Sequence, residues 1–178
     1  IIFTPSPIVN AGPDITLCAN NSLTSLNGSI QFAGGGTWSG GTGLFVPGVN
    51  VLNPTYTPTA AEIASGVVTL TLSSTGNGKC LAESDDIQIT YSPAPTANAG
   101  ADQILCGNNA DATLAGSVTV ATGGTWSGGT GSFNPGPGSL NTIYTPTLLE
   151  IANGSLDLIL TTTGNGSCIA CLLYTSLS

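Results

Sequence analysis

The chain has 178 residues, one basic side chain (Lys79) against nine acidic ones, no histidine and a net charge of −8. A nucleic-acid partner needs a Lys/Arg footprint to displace phosphate counterions, and an anionic membrane surface needs the same, so both are excluded as partners. No apolar run approaches the ~20 residues of a membrane-spanning helix, so direct membrane insertion is not expected.

Reading from the N-terminus, the sequence repeats itself. Cys18, Trp38, Tyr56, Glu62, Gly76 and Cys80 recur as Cys106, Trp126, Tyr144, Glu150, Gly164 and Cys168, a constant spacing of 88 residues without insertion or deletion. Such a period marks tandem copies of one small domain. Ile1, Pro5, Pro7 and Asn10 stand where Ile89, Pro93, Pro95 and Asn98 stand. Residues 1–7 are therefore expected to be the end of a preceding repeat plus its linker, 8–92 the first full repeat, 93–97 a Pro-rich linker, and 98–178 the second repeat. The true N-terminus is expected elsewhere, in a longer array. Pro93-Ala94-Pro95, echoed by Pro5-Ser6-Pro7, favours extended polyproline geometry and a short, semi-rigid connection.

Within the first repeat, short strands are expected at 15–17, 23–26, 36–39, 43–45 and 55–57. The clearest strand follows, where Val68, Leu70 and Leu72 alternate with Thr69, Thr71 and Ser73. Period two over that length is a half-buried antiparallel strand. Ile87, Ile89 and Tyr91, alternating with Gln88, Thr90 and Ser92, close the unit. Turn pairs punctuate the run at Gly12–Pro13, Asn27–Gly28, Gly40–Gly41, Pro47–Gly48 and Asn77–Gly78. One helical turn is predicted at 60–64 (copy 148–152), introduced by Pro58 and Thr59 and stopped by Gly66. Thr59 with Glu62, and Thr147 with Glu150, fit the Thr-x-x-Glu capping pattern, which assigns both glutamates a structural role. About seven short strands per unit and no amphipathic helix give an all-β chain of tandem immunoglobulin-like β-sandwiches.

Several motifs carry a chemical and a structural reading. The glycine-rich segment 35–43, identical at 123–131, lacks the lysine and following helix of a phosphate loop. Trp38 and Trp126 could stack on sugar rings, but a single Trp on an early central strand of a sandwich more often fills the core, together here with Tyr56 and Tyr144. Two cysteines per unit without histidine do not make a zinc site. A disulfide in each unit, Cys18–Cys80 and Cys106–Cys168, is expected in an exported β-domain and would contribute up to ~4 kcal/mol by chain-entropy reasoning. Four cysteines permit three pairings, and Cys80–Cys106 across the linker competes; in a simple sandwich, the ends to be joined by Cys18–Cys80 also lie apart. Asp14, Asp102, Asp85 and Asp86 are weak calcium candidates, read as solvated carboxylates because their spacing matches no ligand loop; no cofactor or metal is otherwise expected. An isopeptide cross-link needs a lysine in each unit, and Ser167 stands where Lys79 does. With no His or Arg, one Lys and no nucleophile beside a base, the chain is not expected to be an enzyme.

The pattern Asn-Ala-Gly-x-Asp-x-x-Leu-Cys, Gly-Gly-Thr-Trp-Ser-Gly-Gly-Thr-Gly-x-Phe, Tyr-Thr-Pro-Thr-x-x-Glu-Ile-Ala-x-Gly and Thr-Gly-Asn-Gly-x-Cys, in order and twice over residues 8–170, resembles the immunoglobulin-like, PKD-like repeats of very large Bacteroidetes surface proteins. These are similar to gliding-motility-associated adhesins exported by the type IX system. The resemblance implies an extracellular, non-catalytic stalk or adhesin repeat on the exterior of the outer membrane. Its partners would be neighbouring repeats and surface polysaccharide or another cell-surface protein. The alternative is a carbohydrate-binding accessory module of a secreted polysaccharide-degrading enzyme. After Ala170 the pattern stops: Cys171 to Ser176 resembles the translated end of a transposon-derived sequencing adapter. Residues 171–178 are therefore expected to be a non-native tail that leaves the second unit without its own last strand.

Overall fold

The computed structural model describes residues 3–178, which divide into two compact units, Ile1–Pro93 and Ala94–Ser178. In the first unit the chain runs through β1 (Ile8–Asn10), β2 (Ile15–Cys18), β3 (Thr24–Ser25), β4 (Ser29–Gln31), β5 (Gly35–Ser39), β6 (Leu44–Val46), β7 (Thr55–Thr57), α1 (Ala60–Ser65), β8 (Val67–Thr75) and β9 (Ser84–Ser92). One sheet has the order β2-β9-β8-β5, and the other β3-β7-β6, with β1 and β4 paired beside them. Strands five, eight and nine on one face and three, seven and six on the other reproduce the C-F-G and B-E-D faces of the immunoglobulin sandwich.

The alternation of β8 and β9 explains the core. Leu70 and Leu72 from β8, and Ile87, Ile89 and Tyr91 from β9, are buried with Trp38, Tyr56 and Leu26, while their polar alternates face out. β8 and β9 pair antiparallel from Val67↔Thr90 to Ser73↔Ser84, but β2 joins β9 in parallel, Ile15 opposite Ile89 and Cys18 opposite Ser92. The first and last full strands of the unit thus lie side by side, pointing the same way.

The second unit comprises β10 (Thr96–Asn98), β11 (Ala112–Ala115), β12 (Ser117–Thr119), β13 (Gly123–Ser127), β14 (Ser132–Asn134), β15 (Asn141–Thr145), α2 (Leu148–Asn153), β16 (Leu156–Thr163) and β17 (Leu172–Leu177). Its sheets are β13-β16-β17 and β11-β15-β14, with β10 paired to β12. β10 starts at Thr96, so strand structure begins inside the segment expected to be linker. The counterpart of β2 is reduced to a parallel bridge between Gln103 and Leu177, flanked by Leu105 N–H to the Ser178 carbonyl at 2.7 Å.

The tail after Ala170 departs from expectation. Residues 172–177 form the closing strand, and Leu156↔Leu177 keeps the register of Val68↔Ile89 one period earlier. Backbone pairing does not depend on side-chain identity, so the vacant edge of β16 accepts any extended segment that the preceding loop delivers. Leu177 and Thr175 enter the core positions of Ile89 and Ile87, whereas Leu172, Leu173 and Tyr174 are exposed where the first unit has Ser84, Asp85 and Asp86. The strand is complete; its sequence fits the site poorly.

At the other end, Ile1 and Ile2 lie outside the described residues, and Phe3 to Pro7 belong to no strand. Phe3 stands one period before the buried Tyr91 and is 90% exposed, having no sheet to receive it.

Candidate functional site

The duplicated chemistry converges on one corner of each unit. Thr59 caps α1: its hydroxyl accepts from the Glu62 N–H, and the Glu62 side chain reaches back to the Thr59 N–H at 2.8 Å. The helix stops at Gly66, whose φ of 79° is a left-handed conformation that costs glycine little. α2 repeats this with Thr147, Glu150 and Gly154. The expected caps at Thr59, Glu62, Thr147 and Glu150 are therefore where the capping pattern places them.

Glu62 does more than cap. Its Oε1 accepts from the Tyr56 hydroxyl at 2.7 Å and from the Thr42 N–H at 2.6 Å, while the Gly43 N–H donates to the Tyr56 oxygen at 3.1 Å. In the second unit the Tyr144 hydroxyl donates to Glu150 at 2.9 Å, the Gly131 N–H donates to the Tyr144 oxygen at 2.9 Å, and Thr130 N–H also donates to Glu150. Burial alone would raise the Glu62 carboxyl; the Thr59 and Thr42 amides, helped by the Tyr56 and Thr59 hydroxyls, outweigh it and hold the group at about 2. Glu150 is held at about 2 in the same way. Burial, and then the neighbouring carboxylate, push the Tyr56 phenol up. Each tyrosine is braced by a phenylalanine ring, Phe45 or Phe133, at 4.8 Å.

This corner accounts for the glycine-rich segment. Gly41 has a φ of 66°, and a Cβ there would collide with the Tyr56 hydroxyl and lie 2.8 Å from Glu62 Oε1. The loop must come that close to aim its amides at the carboxylate. Sequence reading recognised the cap but not the tyrosine or the Thr42 and Thr130 amides. The signal was available as the shared 88-residue period of Gly-Gly-Thr-Gly, Tyr and Glu.

Both tryptophans are 1% exposed. Trp38 Nε1–H donates to the Leu52 carbonyl and Trp126 Nε1–H to Leu140, each at 3.1 Å. Neither indole offers a face for sugar stacking. The acidic residues bind their own backbone: Asp14 accepts from Gln88 N–H, Asp102 from Ser176 N–H and Asp85 from Ala11 N–H, all at 2.8 Å. No group of three or more His, Cys, Asp or Glu able to hold a metal ion occurs among the described residues.

The cysteines correct an expectation. Cys80, Cys106 and Cys171 are free thiols, while Cys18 and Cys168 are the disulfide-linked ones, so neither Cys18–Cys80 nor Cys106–Cys168 forms within a repeat. The reason is the parallel pairing of β2 with β9. It places Cys18 opposite Ser92 at the end of β9, whereas Cys80 precedes its start at Ser84. Eight strand steps separate those ends by roughly 26 Å, against the ~6.8 Å Cα limit of a disulfide. Cys80–Cys106 is absent as well.

The fold and this corner define the class: a tandem of immunoglobulin-like β-sandwiches whose duplicated polar groups bind backbone of their own unit. No family model matches the chain, and neither does any curated protein. Among solved structures it is similar to the insect immune protein hemolin (12% identity, 99% of this chain and 47% of that one, TM-score 0.48). It is also similar to the I67–I69 I-band fragment of titin (10%, 98% and 65%, 0.49) and to Drosophila N-cadherin EC1–4 (11%, 98% and 49%, 0.48). The chain spans about half to two thirds of the length of these three.

Proposed function

We propose that this chain is a non-catalytic, extracellular repeat segment of a large bacterial surface adhesin of the gliding-motility-associated, type IX-exported kind, acting as a load-bearing stalk. The carrying observation is the parallel pairing of β2 with β9 in the first unit. Tension enters a repeat through its N-terminal strand and leaves through its C-terminal strand. With the two side by side and pointing the same way, all their cross-strand bonds resist in shear together instead of opening one at a time. The inward-turned Trp38, Tyr56 and Glu62 and their copies support the same reading, since what both copies share serves the fold. Its partners on this reading are neighbouring repeats and another cell-surface protein or polysaccharide reached by the array's tip.

Pulling the chain by its termini in reducing buffer tests the proposal. The first unit is expected to resist and then release in one step, adding on the order of 300 Å of extended chain for its ~90 residues. Gradual extension with no force peak would refute it.

A further inference from the structure

Two cysteines one repeat apart are tied to the same landmark. Cys18 Sγ lies 3.9 Å from the carbonyl oxygen of Pro93, in the linker that leaves its unit, and the Ala19 N–H donates to the Ser92 carbonyl at 2.9 Å. Cys80 Sγ lies 3.6 Å from the carbonyl oxygen of Pro5, in the linker that enters its unit, and 3.5 Å from Thr4 Oγ1. Phe3 to Pro5, Phe32 and Gly76 to Cys80 line one open groove there. Pro5 stands where Pro93 stands, and Thr4 where Ser92 stands. Advancing the Cys80 arrangement by one period brings Cys168 to the carbonyl that Cys18 already flanks. The two sulfurs then share one neighbour, and χ1 rotation covers the remaining distance to bonding geometry.

We propose that a disulfide staples each linker of the array, joining the Cys18 position of one repeat to the Cys80 position of the next, which in this chain is Cys18 with Cys168. The free thiols at Cys80 and Cys106 are the two halves that await a preceding and a following repeat. Cys18 and Cys168 are the linked cysteines, and Cys80 and Cys106 the free ones, as this rule requires. The oxidant is a small-molecule or protein disulfide of an oxidising compartment. One cysteine thiolate attacks it, forming a mixed disulfide and expelling the first thiol. The second cysteine thiolate then attacks that mixed disulfide, closing the Cys–Cys bond and expelling the second thiol. Two protons leave the cysteines, and two electrons reduce the oxidant to two thiols. The proposal stands apart from the stalk reading, because the test reads only which sulfurs are joined.

The test uses the Cys171→Ser chain, oxidised with glutathione disulfide, alkylated and cut without reduction by a protease specific for Asp and Glu. That cleavage isolates Cys18 in 15–62, Cys80 in 63–83, Cys106 in 103–111 and Cys168 in 158–178. The expected result is 15–62 joined to 158–178, with Cys80 and Cys106 alkylated. Cys18→Ser, added to the same chain, is expected to render Cys168 alkylatable and leave Cys80 unchanged. Joining of 15–62 to 63–83, of 63–83 to 103–111, or alkylation of Cys18 and Cys168 after oxidation would overturn the proposal.

Discussion

Replacing Tyr56 by Phe removes one oxygen that performs two jobs. It donates to the Glu62 carboxylate at 2.7 Å and accepts the Gly43 N–H at 3.1 Å. A hydrogen bond to a charged group contributes about 1.5–3 kcal/mol, and an amide left without a partner costs about 1–3 kcal/mol when buried. Gly43 is only partly buried, so water recovers some of the second effect, and the expected loss for the first unit is about 2–4 kcal/mol. In a domain of this size each kcal/mol moves the melting point by about 4–8 °C, which predicts a fall of about 10–25 °C in that unit's transition by scanning calorimetry. Tyr144→Phe is the internal control, since the same two bonds occur there at 2.9 Å each. It should displace the second unit's transition to a similar degree. A fall below about 4 °C in both variants would show that the corner contributes little, and the argument for its role would fail.

The same corner sets an acid limit. The Glu62 and Glu150 carboxyls are held at about 2, below the model value of 4.5, so their contribution is present in full above pH ~4.5 and is lost as pH falls through about 2. Denaturant midpoints should therefore fall across that window, and Glu62→Gln combined with Glu150→Gln should flatten the dependence. Gly41→Ala, which forces a Cβ against Glu62 Oε1 at 2.8 Å and requires a φ of 66°, should cost roughly 2–4 kcal/mol. Gly48→Ala meets nothing within 4 Å and should stay within ~0.5 kcal/mol, measured by urea unfolding. Both tryptophans should resist acrylamide quenching until the units unfold, and titration with polysaccharides should leave their emission unchanged. Ready quenching in native buffer would contradict their burial.

Much of this architecture is readable in residues 60–92 alone. Alternation over 68–72 and 87–91 reports burial directly, because one face of each strand meets the core and the other meets water. The cap at Thr59 and Glu62 is equally local, and the helix follows it at 60–65. β1 and β4 are three residues each, too short and too polar for a period to show. Tyr56 meets Glu62 only because two turns of non-periodic chain bring the loop at 41–43 between them. The cysteine pattern misled for a topological reason: a parallel first strand reverses which end of the sandwich Cys18 occupies, and alternation is blind to strand direction. The tail misled in the opposite sense, since an unrelated sequence can still occupy an edge that recognises backbone.

The proposed staples have a consequence for survival of the array outside the cell. A bond from Cys18 to Cys168 closes a loop, and its equivalent one period on, starting at Cys106, opens before the first loop ends. Successive loops overlap like roof tiles, so every peptide bond of the interior lies inside at least one of them. A protease that cuts a single exposed turn, at Gly76–Gly78 or Gly136–Gly138 for example, then severs no connection between the two ends. Detachment would require two cuts within the span of one loop, or one cut and reductant.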